Sequence, residues 1–392
     1  MADLNVMISD LQAVYAIGAH FAGPGIGHIA YQAARGLWRA GALRRLIVSS
    51  YRPTEIPAGS IRSLGWAGRA LKRLAVLDPA GRLDRFSNAL FDHWCAGQLA
   101  DARVFHGWNA MCLESLRAAR RRGMITVVER ASSHPAAQLA LLRQEYQTWG
   151  VPIRLPAQPY ARALREMDEA DYITIPSDFV RQSMLAAGVS PDKLVEIPFG
   201  ADLSRFAPAP AAAPRPFRLI FAGQVSIRKG VPYLLEAWRR LRWDDAELWL
   251  AGGVTADFQA VRRRWETLAG IRYLGHRSDL PALLRACDVF VFPSVEEGSA
   301  LVTYEAMACG LPIVTTPNAG SVARDGEEGF IVPPRDVEAL AEALRRLRAD
   351  AGLRRRMAGA AHARAQEYSW DAYQSRLLAA YRAMRARRPL AP

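Results

Sequence analysis

Short β-prone apolar runs alternate with longer amphipathic patterns along this chain, and a proline–alanine tract cuts the series into two halves. In the first half the runs are Leu4–Ser9, Leu46–Ser50, Arg103–His106, Met124–Glu129, Asp171–Pro176 and Leu194–Pro198. The second half restarts with Phe217–Ala222, Glu247–Ala251, Ile271–Leu274, Asp288–Pro293, Pro312–Thr316 and Gly329–Val332. This alternation predicts βαβ units and parallel sheets, an α/β fold. Between the halves, Ala207-Pro-Ala-Pro-Ala-Ala-Ala-Pro-Arg-Pro216 suits neither a helix nor a central strand. Two lobes are expected, over residues 1–205 and 217–370, joined by a linker at 206–216 and followed by a terminal segment 371–392.

At 392 residues and 51% hydrophobic content, the chain has apolar surface enough for two cores. Its four cysteines, Cys95, Cys112, Cys287 and Cys309, form no C-x-x-C pair and no zinc-finger spacing, so a reducing compartment, the cytoplasm, and no structural metal are expected. Leu11 to Ala34 contains no charged residue, a length that could cross a bilayer on paper. Its glycines, Pro24, His20 and His28 lower its hydropathy, and Asp3 and Asp10 stand where a signal peptide needs basic residues. It reads as a glycine-rich loop running into a helix.

The formal charge of +13 divides into +6 over residues 1–200 and +7 over 201–392, so no lobe is a nucleic-acid arm, and no nucleic-acid partner is expected. Arg62–Arg85 and the terminal helix with Arg376, Arg382, Arg385, Arg387 and Arg388 are locally basic. A solvated helix face is the preferred reading of both, and peripheral contact with an anionic membrane, at its inner face, is the alternative. Only Lys72, Lys193 and Lys229 are lysines among 51 basic residues. A chain that spends arginine on generic charge gives a remaining lysine a specific job.

Ligands of open α/β sheets sit beyond the carboxyl ends of strands, which directs attention to the loops there. After Phe217–Ala222 comes Gly223-Gln224-Val-Ser-Ile-Arg228-Lys229-Gly230, where a glycine turn, two cations and a helix start make an anion site. It is not a Walker loop. After Asp288–Pro293 comes Ser294-Val-Glu-Glu297-Gly298-Ser299-Ala300-Leu301, leading into a helix that carries Glu305, eight residues beyond Glu297. A third loop, Gly23-Pro-Gly25-Ile-Gly27-His28, precedes the helix Ile29–Arg39 and would let a ligand approach its backbone closely.

The second string resembles the E-x7-E signature of family-4 glycosyltransferases of GT-B fold. Glu166–Ser177, Ile197–Phe206, Phe221–Gly230, Asp288–Gly310 and Asp325–Pro333 agree in order and spacing over nearly the whole chain. The resemblance implies two Rossmann-like lobes with parallel sheets facing a cleft, a nucleotide-sugar donor on the second lobe and a hydroxyl acceptor on the first. It implies retaining transfer in polysaccharide or related biosynthesis, with no cofactor and no metal required. Lys229 would contact the donor diphosphate, Glu297 and the backbone after Gly298 the donor sugar, and Glu305 the ribose. Gly223, Gln224, Ser299, Ala300, Leu301, Gly25 and Gly27 would complete the donor site. Members commonly carry Arg where this chain has Gln224, so either Arg228 supplies the second cation or the leaving group rests mainly on Lys229.

His106 and Trp108 end one strand, and Arg130 and His134 follow another, so these four are expected to line the acceptor side of the cleft, with His134 a catalytic candidate. His20, His93, His276 and His362 are expected to be structural. Gln138–Gly150 is read as a packed helix in preference to an acceptor pocket. The run from Trp370 to Tyr381, with Tyr373 and Leu377 on one stripe, resembles the terminal GT-B helix that crosses back to the first lobe. The rival readings are a nucleotide-sugar epimerase of the same fold and a nucleotide-binding relative without catalysis.

Overall fold

The computed structural model describes residues 11–75, 82–152, 155, 160–208 and 215–387, and folds them around two wholly parallel sheets. The first sheet contains β1 (Ala13–Phe21), β2 (Leu43–Tyr51), β3 (Ile61–Ser63), β4 (Val104–Trp108), β5 (Ile125–Glu129), β6 (Tyr172–Ile175) and β7 (Leu194–Glu196). Its order is β3-β2-β1-β4-β5-β6-β7. The helices with it are α1 (Ile26–Arg39), α2 (Trp66–Ala75), α3 (Arg82–Gly97), α4 (Leu113–Arg121), α5 (Pro135–Trp149), α6 (Ala161–Glu169) and α7 (Asp178–Ala186). The second sheet contains β8 (Phe217–Ala222), β9 (Ala246–Ala251), β10 (Ile271–Gly275), β11 (Val289–Phe292), β12 (Ile313–Thr315) and β13 (Gly329–Ile331), in the order β10-β9-β8-β11-β12-β13. With it come α8 (Val231–Leu241), α9 (Ala256–Gln259), α10 (Leu280–Arg285), α11 (Leu301–Ala308), α12 (Val337–Ala349), α13 (Ala351–Gln366) and α14 (Trp370–Arg387).

Both sheets start in the middle and reverse direction once, between β1 and β4 and between β8 and β11. A reversal leaves a crevice at the carboxyl ends of the strands, because the helices on either side diverge there. The α/β expectation with two Rossmann-like lobes therefore holds. The strand expected at Leu4–Ser9 lies outside the described residues. Ala13–Phe21, expected to be loop, is instead a strand between β2 and β4, almost wholly buried. Charge is absent from Leu11 to Ala34 because this strand and the inner face of α1 are core, and a strand buried on both faces does not alternate.

The turn from β1 into α1 is tight. Gly25 sits at φ 66, and a Cβ on Gly27 would stand 2.2 Å from the His20 carbonyl oxygen. Gly27 thus lets the helix meet the end of its own strand.

The terminal helix α14 lies on α1, burying Trp370, Tyr373, Leu377 and Tyr381 in the core of the first lobe. A Cβ on Gly36 would come within 2.6 Å of the Gln374 Cβ, so the helices approach at a glycine. Polar groups complete the join: Tyr381 hydroxyl and His106 Nδ1 share a 2.7 Å hydrogen bond, and Tyr15 hydroxyl donates to Glu129 at 2.8 Å. In the other direction α5 reaches the second lobe, where Trp149 joins that lobe's core and buried Glu145 accepts from Tyr233 hydroxyl at 2.8 Å and from Arg335. It is a packed helix, and its partner is the opposite lobe.

Tyr381→Phe removes one hydroxyl and leaves His106 Nδ1 without its partner in a fully buried position. The expected cost is about 1–3 kcal/mol of unfolding free energy by urea titration. An unchanged midpoint would show that the network contributes nothing to stability.

Candidate active site

A cavity of about 570 Å³ opens between the lobes, and its walls come from the carboxyl ends of strands in both sheets. From the second lobe they are Gly223, Gln224, Arg228 and Lys229 after β8, Gly252 and Gly253 after β9, His276 and Arg277 after β10, and Glu297, Ser299–Val302 and Glu305 after β11. The first lobe contributes Gly25 and Ile26 after β1, Ala131 and Ser132 after β5, and Phe199 after β7. The strand-end rule thus accounts for the whole wall.

The β8–α8 loop is fixed by close approaches that only glycine allows. A Cβ on Gly252 would stand 1.8 Å from the Gly223 carbonyl oxygen, and one on Gly230, at φ 70, would stand 1.8 Å from the Pro293 carbonyl oxygen. Buried Asp257 accepts from the Ile227 amide at 3.0 Å. Arg228 and Lys229 therefore project from a rigid turn. Lys229 Nζ pairs with Glu297 Oε2 and sits 4.9 Å from the centre of the Phe292 ring. Arg228 reaches Glu297 Oε1 at 3.3 Å and Glu296 Oε2 at 3.2 Å.

Burial alone would raise the pKa of Glu297, but the charges of Lys229 and Arg228 outweigh it and bring it below the ordinary value. Arg228 is in turn held above its ordinary value: burial disfavours its charge, and Glu297 and Glu296 more than offset that. Glu305 is different. Among the described residues its carboxyl has no hydrogen-bond partner, and burial pushes its pKa up to about 7, with Arg205 pulling down and Asp202 pushing up. Leu301 and Val302, in the first turn of α11, also line the cavity, so this helix presents its positive end there. Of these two helices it is thus α11, and not the expected α8, whose first turn lines the cavity.

Glu296 has no exposed surface. Besides Arg228 it accepts from Ser133 Oγ at 2.8 Å and Gln138 Nε2 at 3.2 Å, both in the first lobe. Nearby, Ser177 Oγ donates to the Gly298 carbonyl oxygen at 2.5 Å, and a Cβ on Gly298 would stand 1.5 Å from the Ala131 carbonyl oxygen. Gly298 therefore serves the approach of the lobes, and it lies beside the cavity wall rather than in it.

Of the residues expected in the cleft, Lys229, Arg228, Glu297, Glu305, Gly223, Gln224, Ser299, Ala300, Leu301 and Gly25 are brought together. His134, His106, Trp108 and Arg130 are not, and neither is Gly27, which serves the turn into α1. His134 caps α5, its Nδ1 accepting from the Ala136 amide at 3.2 Å. His106 is fully buried against Tyr381, and Trp108 Nε1 donates to Tyr15 hydroxyl at 2.9 Å within the first lobe. Arg130 grips the carbonyl oxygens of Ser132 at 3.2 Å and Ser133 at 2.6 Å, shaping the loop that reaches the cavity without reaching it itself. Side chains at a strand end alternate between faces, and these fall on the core side. His276, expected to be structural, lines the wall with Arg277; both follow β10 and were findable by the strand-end rule.

Two parallel-sheet lobes enclosing a cleft lined by Arg228 and Lys229 define a protein of GT-B fold. Residues 216–350 match the model of the family described as glycosyl transferases group 1. The D-inositol 3-phosphate glycosyltransferase of Xylanimonas cellulosilytica is 34% identical over 227 residues, 52% of this chain and 54% of that one. The chain spans about half the length of the curated relatives it matches. Among solved structures, sucrose-phosphate synthase from Thermosynechococcus elongatus superposes with a TM-score of 0.68 at 21% identity, covering 96% of this chain and all of that one. Anabaena HepE, in complex with UDP and glucose, gives 0.67 at 14% identity, covering 95% and 99%. The fold is GT-B, and residues 216–350 are similar to the glycosyl transferases of group 1.

Gly298→Ala places a methyl group where the Ala131 carbonyl oxygen lies, so the lobes are expected to separate. Small-angle scattering should give a larger radius of gyration than for the parent chain; identical profiles would contradict this account of the close approach.

Proposed function

We propose that the cavity holds a nucleoside-diphosphate sugar and that the chain transfers its glycosyl group, with retention of configuration, to an acceptor hydroxyl presented from the first lobe. The observation that carries the reading is one cavity into which Lys229, Arg228, the clamped carboxylate of Glu297 and the unpartnered carboxylate of Glu305 all open.

With the cavity empty, Lys229 neutralises Glu297. An incoming diphosphate draws Lys229 to itself, and Glu297 is left free to accept hydrogen bonds from hydroxyls of the sugar. Arg228 keeps its tie to Glu296 and adds a second fixed charge. As the bond between sugar C1 and the phosphate oxygen breaks, negative charge grows on the diphosphate, where Lys229, Arg228 and the first turn of α11 stabilise it. Glu297 and Glu305 are the only acids on the described wall. With both engaged by hydroxyls, the departing phosphate oxygen takes the proton of the acceptor as its oxygen bonds to C1 on the same face. Glu305 suits a vicinal diol, such as a ribose. UDP-sugars are the first donors to try, since a relative of the same fold holds UDP and glucose.

Lys229→Ala is expected to lower kcat by roughly two to three powers of ten, as loss of one donor to a developing anion does. Full turnover in that variant overturns the phosphate role. Turnover should persist in EDTA, and proton NMR of the product should show the anomeric configuration of the donor.

Glu305 gives a pH dependence whose sign follows from its position. Its folded pKa of about 7 lies above the ordinary carboxylate value, so its contribution to stability is full at low pH and is lost as pH rises through 7. Glu305→Gln should therefore raise the melting temperature of the empty protein at pH 8 while weakening the donor. Because a diol needs the carboxylate as acceptor, donor affinity in the parent chain should fall as pH drops below about 7. A flat affinity profile from pH 6 to pH 8 by calorimetry would separate Glu305 from the ligand.

A further inference from the structure

Exposed large apolar side chains are not scattered over this molecule. Among the described residues there are six, and five of them, Trp66, Leu74, Leu83, Phe86 and Leu90, lie on α2 and α3; the sixth is Val254. Trp66 is 78% exposed and Phe86 60%, well beyond the partial exposure of an ordinary interface-free surface helix. The placement follows helical spacing. On α2, Trp66 and Leu74 are eight residues apart, two turns along one stripe, with exposed Ala70 between them. On α3, Leu83, Phe86 and Leu90 form an outward stripe, while Ser87, Asn88, Phe91 and Cys95 face the core. The two helices contact each other.

The charge beside these stripes has one sign on α2. Arg69 and Arg73 are exposed, and Trp66–Ala75 contains no acid; Arg82 is exposed at the start of α3. Trp with Phe and Leu on one stripe and arginine along its edge is the composition of a helix that lies in a headgroup layer, where apolar side chains enter the acyl boundary and cations meet anionic lipid. A second protein would bury such stripes too, but on α2 it would meet cations alone, where a protein interface carries a polar rim of both signs.

We infer that α2 and α3 form a peripheral docking surface for an anionic lipid membrane. Among the described residues no helix is long and apolar enough to cross a bilayer, so attachment through this surface is lateral. The surface also stands near the mouth of the cleft. A Cβ on Gly68 of α2 would lie 2.3 Å from the Ser49 carbonyl oxygen, at the end of β2, and Ser50 Oγ bonds His20 Nδ1 at 2.8 Å, at the end of β1. The loop from β1 carries Gly25 into the cavity wall. On the proposed function, a docked molecule would therefore meet lipid-borne acceptors beside the site; the docking itself stands without that function.

The full chain is to be sedimented with large vesicles of phosphatidylcholine alone and of phosphatidylcholine with 30% phosphatidylglycerol, at low and high salt. Binding is expected to the anionic vesicles and to weaken with salt. Each arginine near such a surface contributes about fivefold in partition, so Arg69→Gln with Arg73→Gln and Arg82→Gln should lower it on the order of a hundredfold. Trp66→Ser with Phe86→Ser should abolish binding while circular dichroism and melting temperature stay those of the parent chain. Absence of binding to anionic vesicles, or binding undiminished in both variants, overturns the inference. So does a parent chain that light scattering shows to be a dimer, that Trp66→Ser converts to a monomer, and that ignores vesicles: the occupant is then a second copy. If either multiple variant fails to fold, Trp66→Ser and Arg73→Gln alone carry the test.

Discussion

A carboxylate with no exposed surface ties the two lobes together. Glu296 leaves the second sheet beside the β8–α8 loop, and its oxygens are shared among Arg228 of its own lobe and Ser133 and Gln138 of the other. A buried charge stripped of partners costs several kcal/mol, so Glu296 is stable only while the lobes stand as they do. The same contact aims Arg228. One residue thus couples the relation of the lobes to the charge on the cavity wall, and Glu145, gripping Tyr233 and Arg335 from α5, repeats the arrangement at the far side.

From that constraint the electrostatics of the site follow. Arg228 is tied to both Glu296 and Glu297, whereas Lys229 Nζ pairs with Glu297; on the proposed function Lys229 is the cation that would exchange its partner. The compact charge of a lysine, three rotatable donors on a long flexible stem, suits the exchange of a carboxylate for a phosphate that the proposed function asks for, whereas the planar fork of Arg228 suits staying. In a chain with only three lysines, the distribution of tasks between these two adjacent residues is a division of labour set by side-chain chemistry. Gln224, which lines the wall, can add hydrogen bonds but no charge.

Much of this was legible from residue order. The eleven expected strands that fall on described residues coincide with observed ones to within a few residues, and the strand-to-loop rule leads to Gly223, Lys229, Glu297 and Glu305 because cleft residues of this kind sit on backbone whose position depends on local sequence. The differences have separate causes. β1 was hidden because a strand covered on both faces has no alternation to detect. His106, Trp108, Arg130 and His134 occupy the right loops and strand ends but turn to the core side, a choice made by Tyr381, Tyr15 and the carbonyl groups of Ser132 and Ser133, which are distant in sequence or part of the backbone. His276 and Arg277 follow β10, a place to which the same rule points. Glu296 had no sequence signal beyond its neighbour, since its meaning lies in contacts made across the lobes.

The central claim is that the cavity is built for a nucleoside diphosphate held by Lys229, and thermal denaturation of the parent chain and of Lys229→Ala with and without nucleotides tests it most directly. A nucleoside diphosphate at a hundred times its dissociation constant should add about 2.7 kcal/mol to the stability of the parent chain, a nucleoside monophosphate at the same concentration much less, and neither should shift Lys229→Ala appreciably. A parent chain indifferent to every nucleoside diphosphate, or a Lys229→Ala variant stabilised as strongly as the parent, would contradict the account.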